Sequence, residues 1–434
     1  MIRKLLICAT VVISSIATAQ ESTSSPYSFY GLGSLKFKGT VENRSMGGIS
    51  VYSDSIHINL RNPASYTGTN LAFYNNEARP VIFALGTSFS STTIETSTAS
   101  DSYSNSAIDY LAVALPLNKF GLGFGVLPYS SVGYNLQSRN ENNDLQYRYR
   151  GEGGINRAFV GLGYQVSKNL KIGVDTQYNF GNISNTSIAF GYNDFGELLQ
   201  FQSREVNRSD LGGFSFNFGT IFNKKINNSI ELMVAASYSP EASIASKNQS
   251  EFSTIVIDSD QTEFIVDSSI VDLESDDLAE TSLILPSKTN FGIGIGKPRK
   301  WFVGVDYTFL EASRFSNRFV EIDNTTFEDA TSLSIGGFFI PKYDSFGNYW
   351  KRIVYRTGLR LEQTGLVVNN ESIEEFGISF GVGIPVGRFF SNANLAFEWG
   401  QRGTTASNLV KETFFNINIS LSLNDRWFEK RKFN

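Results

Sequence analysis

Most of the residues that build small catalytic or metal sites are missing from this chain. Its 434 residues include one Cys, one His and 10 Pro. With a single Cys (Cys8) a disulfide framework is impossible. His57 has no second His or Cys with which to form a metal centre or a nucleophilic triad. No metal, no other cofactor and no catalytic residue is therefore expected. Charge is also sparse: 18% of residues are charged, the net charge is −5 and the pI is about 5.3, which leaves no basic patch for nucleic acid. The mean hydropathy of −0.14 excludes a helical membrane bundle. Past the N-terminus no segment approaches 18 consecutive apolar residues, so no spanning helix is expected.

What the chain does have is 38 Gly and 14% aromatic residues, a composition suited to many strands rather than to disorder. The first nineteen residues read as an export signal. Arg3 and Lys4 supply positive charge, residues 5–13 form a short apolar run, and Ala17-Thr18-Ala19 is an A-x-A cleavage site. The mature chain is expected to start at Gln20, with no cysteine left.

Period-2 alternation then recurs along the chain. Phe415-Asn416-Ile417-Asn418-Ile419-Ser420-Leu421-Ser422-Leu423 puts every apolar residue on one face and every polar residue on the other. Phe214 to Gly219, Leu170 to Phe180 and Trp301 to Phe309 repeat the scheme. A soluble sandwich would also alternate, but three features favour a membrane barrel. Connections alternate between short turns and long polar segments, the latter near 95–105, 137–153, 184–208, 244–285, 315–328, 365–372 and 403–410. The polar faces carry charge, at Asp175, Glu231, Asp306, Arg352, Arg356, Arg360 and Glu398, as a hydrated lumen would tolerate. Aromatic residues such as Phe120, Tyr129, Trp301, Trp350, Trp399 and Trp427 crowd strand ends, as interfacial girdles do.

Counting turns and loops gives an all-β fold: one transmembrane antiparallel barrel of about fourteen strands. The strands are expected near 80–94, 106–117, 120–136, 154–166, 170–183, 209–222, 229–243, 286–297, 301–314, 329–340, 350–364, 373–385, 391–402 and 411–423. Closure follows because an open edge in lipid leaves backbone groups with no water to meet them. The expected organisation is a signal peptide (1–19), a hatch or plug (20–79), the barrel (80–423) and a periplasmic tail (424–434).

The segment before the barrel contains Arg44-Ser45-Met46-Gly47-Gly48-Ile49-Ser50-Val51, then Asp54, then Asn62-Pro63-Ala64. This pattern resembles the N-terminal hatch of FadL/TodX-type (OMPP1) outer-membrane transport proteins. Leu127-Pro128-Tyr129-Ser130, Gly151-Glu152-Gly153-Gly154-Ile155-Asn156 and Glu398-Trp399-Gly400-Gln401-Arg402-Gly403 are similar to Bacteroidota members of that group. The resemblance covers nearly the whole mature chain. It implies a plugged barrel in the outer membrane that carries hydrophobic compounds through a side opening. Met46, Gly47, Gly48, Asp54, Asn62, Pro63 and Ala64 would then form the hatch or gate.

Other candidates have competing readings. Arg352, Arg356 and Arg360, four residues apart, would form a column on the lumen face. They would bind a carboxylate or, more economically, pair with Asp175, Asp306 and Glu398 to anchor the plug. His57 reads as an ordinary loop histidine or as a pH-sensitive hatch contact. Residues 251–280 hold ten acids and no Lys or Arg, which suits a solvated outer loop or a partner-binding one. Gly121, Gly123, Gly125, Gly292, Gly294 and Gly296 alternate as if to make room for a plug or ligand.

The leading functional expectation is passive uptake of a hydrophobic or amphipathic small molecule, with outer-membrane lipids and such a ligand as partners. The alternative is a non-transporting barrel subunit of an outer-membrane secretion or assembly complex, with other subunits as partners.

Overall fold

The computed structural model describes residues 23–54, 56–67, 81–140, 142–315, 319, 325–386 and 391–425. The expected signal lies outside them, as does the expected C-terminal tail from 426 on, with Trp427; its first two residues, Asn424 and Asp425, are the end of the last strand instead.

A two-residue strand, β1 (Ser34–Leu35), precedes the wall. The first half of the wall is β2 (Val81–Glu95), β3 (Ser100–Leu117), β4 (Phe120–Arg139), β5 (Leu145–Gln165), β6 (Leu170–Ala189) and β7 (Gln202–Lys225). A seventh spanning strand is interrupted at Pro240 into β8 (Glu231–Ser239) and β9 (Ala242–Ile257). An eighth is interrupted at Pro286 into β11 (Glu280–Leu285) and β12 (Lys288–Lys297). Between them stands β10 (Glu263–Ile270). The wall continues through β13 (Trp301–Leu310), the short β14 (Thr325–Phe327), β15 (Ala330–Phe339), β16 (Val354–Val368), β17 (Glu371–Pro385), β18 (Asn392–Arg402) and β19 (Lys411–Asp425). All pairings are antiparallel. The last strand closes on the first, from Lys411 opposite Glu95 to Asp425 opposite Val81. The protein is a closed fourteen-stranded barrel.

The alternation faces as the sequence requires. Phe415, Ile419 and Leu421 are exposed on the outside, while Asn418, Ser420 and Ser422 are buried inside. Phe214, Phe216 and Phe218 likewise point outward, against inward Ser215 and Asn217. A sandwich would bury the apolar side chains, so that alternative fails. Among the girdle candidates Phe120, Trp350 and Trp399 are exposed. Tyr129 is corrected: its ring lies inside, beneath the Arg157 guanidinium at 4.3 Å.

The long polar segments are corrected as well. Much of 137–153, 184–208 and 244–285 is strand rather than loop. Alternate residues such as Ser246, Asn248, Ser253 and Ile255 stay buried there, but the outward ones are mostly polar, so the apolar outer face that reveals a strand in lipid disappears while the hydrogen bonding continues.

One stretch of wall is not laddered. β3 pairs with β4 only through Leu111–Leu117. From Tyr110 to Ser100 it pairs with β2 alone. Across the gap β4 bends, with a register shift against β5 between Pro128 and Ser130. Pro128 has no N–H to give, so it suits an unpaired edge. The gap is lined from inside by β1, paired at Ser34–Ser131 and Leu35–Ser130.

Candidate functional site

Residues 23–67 lie within the barrel and bond to its inner wall along their length. At the start, Ser25 Oγ donates to Glu412 at 2.5 Å, and Ser28 Oγ bonds Gly133. A one-turn helix, α1 (Val41–Arg44), is closed by a reciprocal cap between Thr40 and Asn43. Glu42 on that turn accepts from Asn394 Nδ2 at 2.6 Å and Ser420 Oγ at 3.0 Å.

Met46-Gly47-Gly48 follows. Gly47 and Gly48 have φ of 73° and 90°, in the left-handed region that favours glycine. This tight bend puts the Gly47 amide 2.9 Å from Ser379 Oγ, to which it donates. The wall yields to meet it: a Cβ on Gly358 would sit 2.1 Å from the Gly47 nitrogen, and one on Gly336 2.2 Å from the Met46 carbonyl. Met46 itself is buried with Ile49, Val51, Ala64, Phe302 and Phe338. Of the glycines expected to make room for a plug, Gly121 and Gly123 face Tyr66 and Gly292 faces Val51. Gly125, Gly294 and Gly296 face neighbouring wall residues instead.

Asp306 and Asp175 do not pair with the arginine column, which corrects that expectation. Asp306 accepts from the Ser50 amide at 2.6 Å and Ser50 Oγ at 2.7 Å. Asp175 accepts from Asn217 at 3.3 Å. Asp306 thus holds the hatch, whereas the Asp175 bond is to the neighbouring wall strand.

Asp54 and His57 form a unit. Asp54 accepts from the amides of Ile56 and His57 and contacts His57 Nδ1 at 2.8 Å. The other ring nitrogen is 3.9 Å from Glu42. Burial pushes the imidazole pKa down, but the charges of Asp54 and Glu42 outweigh it and raise it above the ordinary value. Burial also pushes Asp54 up, yet His57 holds its carboxyl well below the usual carboxylate range. His57 is thus a hatch contact.

Asn62-Pro63-Ala64 locks the far end. Asn62 Nδ2 donates to the wall carbonyls of Thr220 and Ala236, each at 3.1 Å. Its Oδ1 accepts from the Ala64 amide at 3.1 Å, capping a single 3₁₀ turn with Pro63 in its first position. Ala64 is fully buried.

The arginine column divides. Arg360 donates to Glu375 at 2.5 Å and Glu398 at 2.8 Å. Arg356 donates to Asn394 at 3.0 Å. Arg352 is not part of the column: it ends a 3₁₀ turn, Tyr349–Arg352, before β16 begins, and stacks on Tyr349. A spacing of four places residues on one face only while the strand continues, and here it has not started. Lys38, which the sequence did not single out, bonds Glu362 at 3.1 Å and also Glu375. Arg402 reaches Glu375 at 2.5 Å, and Arg44 reaches Glu398 at 3.5 Å. Glu375 and Arg402 lie on inward positions and were readable from the alternation. Lys38, the hatch partner of Glu375, carries no sequence signal.

Space remains between hatch and wall. A cavity of about 670 Å³ lies behind the wall gap and is lined by five bases (Lys36, Lys38, Arg44, Arg360, Arg402) and four acids (Asp109, Glu375, Glu398, Glu412). Burial, with help from Arg402, pushes the Lys36 ammonium down to about 7. A second, of about 460 Å³, opens at the turn end beside Asp54, His57, Arg352 and Trp301. An apolar pocket of about 120 Å³ includes Leu32, Tyr129 and Phe327. Among the described residues no group of three His, Cys, Asp or Glu side chains could hold a metal.

The barrel matches solved structures over nearly its full length. One is the Pseudomonas putida toluene transporter TodX (TM-score 0.59, 16% identity, 89% of this chain and 99% of that one). Another is a Pseudomonas aeruginosa FadL homologue (0.55, 12%, 91% and 99%). A third is the CymD monoaromatic hydrocarbon channel (0.55, 12%, 90% and 98%). At such identities the likeness is one of fold: this is a FadL/TodX-type barrel. No curated protein matches the chain. A family model named BamG matches residues 1–434, and the chain belongs to the BamG family.

Proposed function

We propose that the protein is a plugged, non-transporting barrel subunit of an outer-membrane protein assembly or secretion complex, with its turns in the periplasm and its loops outside. One observation carries this reading. The lumen is occupied by a hatch bonded to the wall at Glu412, Ser379, Asp306, Thr220 and Ala236, and the cavity of about 670 Å³ behind the wall gap is lined by nine charged side chains. A hydrocarbon gains nothing from such a lining, because charged groups would lose water to admit it. The apolar pocket, at about 120 Å³, falls below the roughly 300 Å³ at which small-molecule sites begin, and the cavity of about 460 Å³ at the turn end, which exceeds it, is lined by Glu42, Asp54, Arg352 and Arg356 as well as by Met46, Phe302 and Phe338.

A second reading, uptake of a hydrophobic or amphipathic compound, is favoured by the gap between β3 and β4. The named activity of TodX and CymD adds to it. Mild-detergent purification from the native cell, with mass spectrometry, separates the two. The subunit reading expects large outer-membrane proteins in stoichiometric amounts. A barrel that purifies alone with bound lipid sinks it, and loss of uptake on deletion would support the second reading.

A further inference from the structure

On one side of the barrel the wall does not stop at the edge of its apolar band. Along β7 the outward side chains are Phe218, Phe216 and Phe214, then Asp210 and Arg208, which pair with each other at 2.9 Å. The strand continues to Gln202, laddered to β6 as far as Ser203 and to β9 as far as Gln202. At about 3.3 Å per residue, about 30 Å of strand stands beyond the greasy band. The result is a sheet fin made of the outer parts of β5, β6, β7, β9 and β10.

The fin ends at β10. Among the described residues β10 pairs with β9 alone, from Glu263 opposite Ile257 to Ile270 opposite Glu251. Its second edge is open. Seven of its eight residues are exposed, and they include Phe264, Ile265, Val266 and, at 82%, Ile270. Exposed apolar side chains and an unpaired backbone edge are the two features that soluble sheet edges avoid, because together they invite another strand. There is no Lys and no Pro between 263 and 270; the interruptions are two acids, Glu263 and Asp267, and a register shift against β9 between Ile265 and Asp267. The turn end of the hairpin is braced by Arg150 and Arg204 on Glu263.

We propose that the β10 edge is a docking site for an extended segment of a partner protein, which adds to the fin as its next strand. The charge on the page selects the occupant. Residues 251–280 carry ten acids and no base. A second copy of this chain, edge to edge, would set that acidity against itself, and anionic lipid headgroups would be repelled. The segment that fits carries apolar residues, to lie against Phe264 on one face and Ile265 and Ile270 on the other, and Lys or Arg, to meet Asp267 and the acids that flank β10. This proposal rests on the subunit reading above and names the surface by which such a subunit is held.

The test uses the full-length protein in its native cells. A photo-crosslinking residue is placed singly at 264, 266, 268 and 270, with 216 on the lipid face as control. Adducts are mapped by mass spectrometry, and a shift in gel mobility on heating confirms that each barrel is folded. The expected result is a ladder: successive β10 positions join successive positions of one partner segment rich in Lys or Arg, and 216 gives no such adduct. Ile270→Lys with Val266→Lys should abolish the ladder while the barrel stays folded. Adducts to a second copy, adducts to lipid, scattered adducts or none would each overturn the proposal. If stoichiometric partners still co-purify in that case, only the β10 assignment fails. If none do, the subunit reading fails with it.

Discussion

Asn62→Ala removes the contact that ties the hatch to the wall from both sides. Its side chain donates to two wall carbonyls at 3.1 Å and accepts the Ala64 amide at 3.1 Å. At about 1 kcal/mol for each wall bond and about 1 kcal/mol for the cap, the loss is roughly 3 kcal/mol. That corresponds to about two orders of magnitude in a local opening equilibrium. The fourteen-strand ladder is untouched, so the effect belongs to the hatch alone. Hydrogen exchange of the purified protein in detergent reads it directly. Amides of residues 62–67 should exchange about a hundredfold faster, and those of β5 to β7 should not change. Gly219→Ala attacks the same contact from the wall, since the added methyl would sit 2.1 Å from Asn62 Oδ1. If neither variant changes exchange in the hatch, the idea that Asn62 holds it is refuted.

Gly358→Val, which drives a side chain into the Met46–Gly47 backbone, should expose the hatch to protease in a folded barrel. Gly347→Ala, with nothing within 4 Å, should be neutral within about 0.5 kcal/mol. Glu375→Gln removes the carboxylate that Arg360, Arg402 and Lys38 share. It should destabilise by about 3–5 kcal/mol, read as an earlier transition of the folded gel band on heating. His57 is the sole histidine, so one labelled imidazole signal reports its titration, which should lie above the ordinary 6.5. Its folded pKa is raised, so its contribution to hatch stability is complete below about pH 6.5 and is lost as pH rises through the folded pKa. His57→Gln should abolish that dependence. Ile419→Arg, on the exposed outer face, should cost about 2–4 kcal/mol in vesicle assembly if it sits near the bilayer midplane.

The alternation of greasy and polar residues settled the architecture before any coordinates. In Phe415 to Leu423 every outward residue must meet hydrocarbon and every inward one a wet lumen, so period and strand count could be read directly. Where that constraint lapses, so does the signal: in the outer parts of β5, β6, β7 and β9 the outward residues need not be apolar, and the sequence reads as loop. The motif Met46-Gly47-Gly48 and the trio Asn62-Pro63-Ala64 were legible because they demand special backbone geometry. What they touch was not. Asp306 meets Ser50 rather than an arginine, Glu375 gathers three cations from the hatch and two strands, and the β3–β4 ladder ends just before Pro128. These pairings join residues far apart in sequence. They depend on where closure of the barrel brings its inner faces against the plug, so only the tertiary structure could decide them.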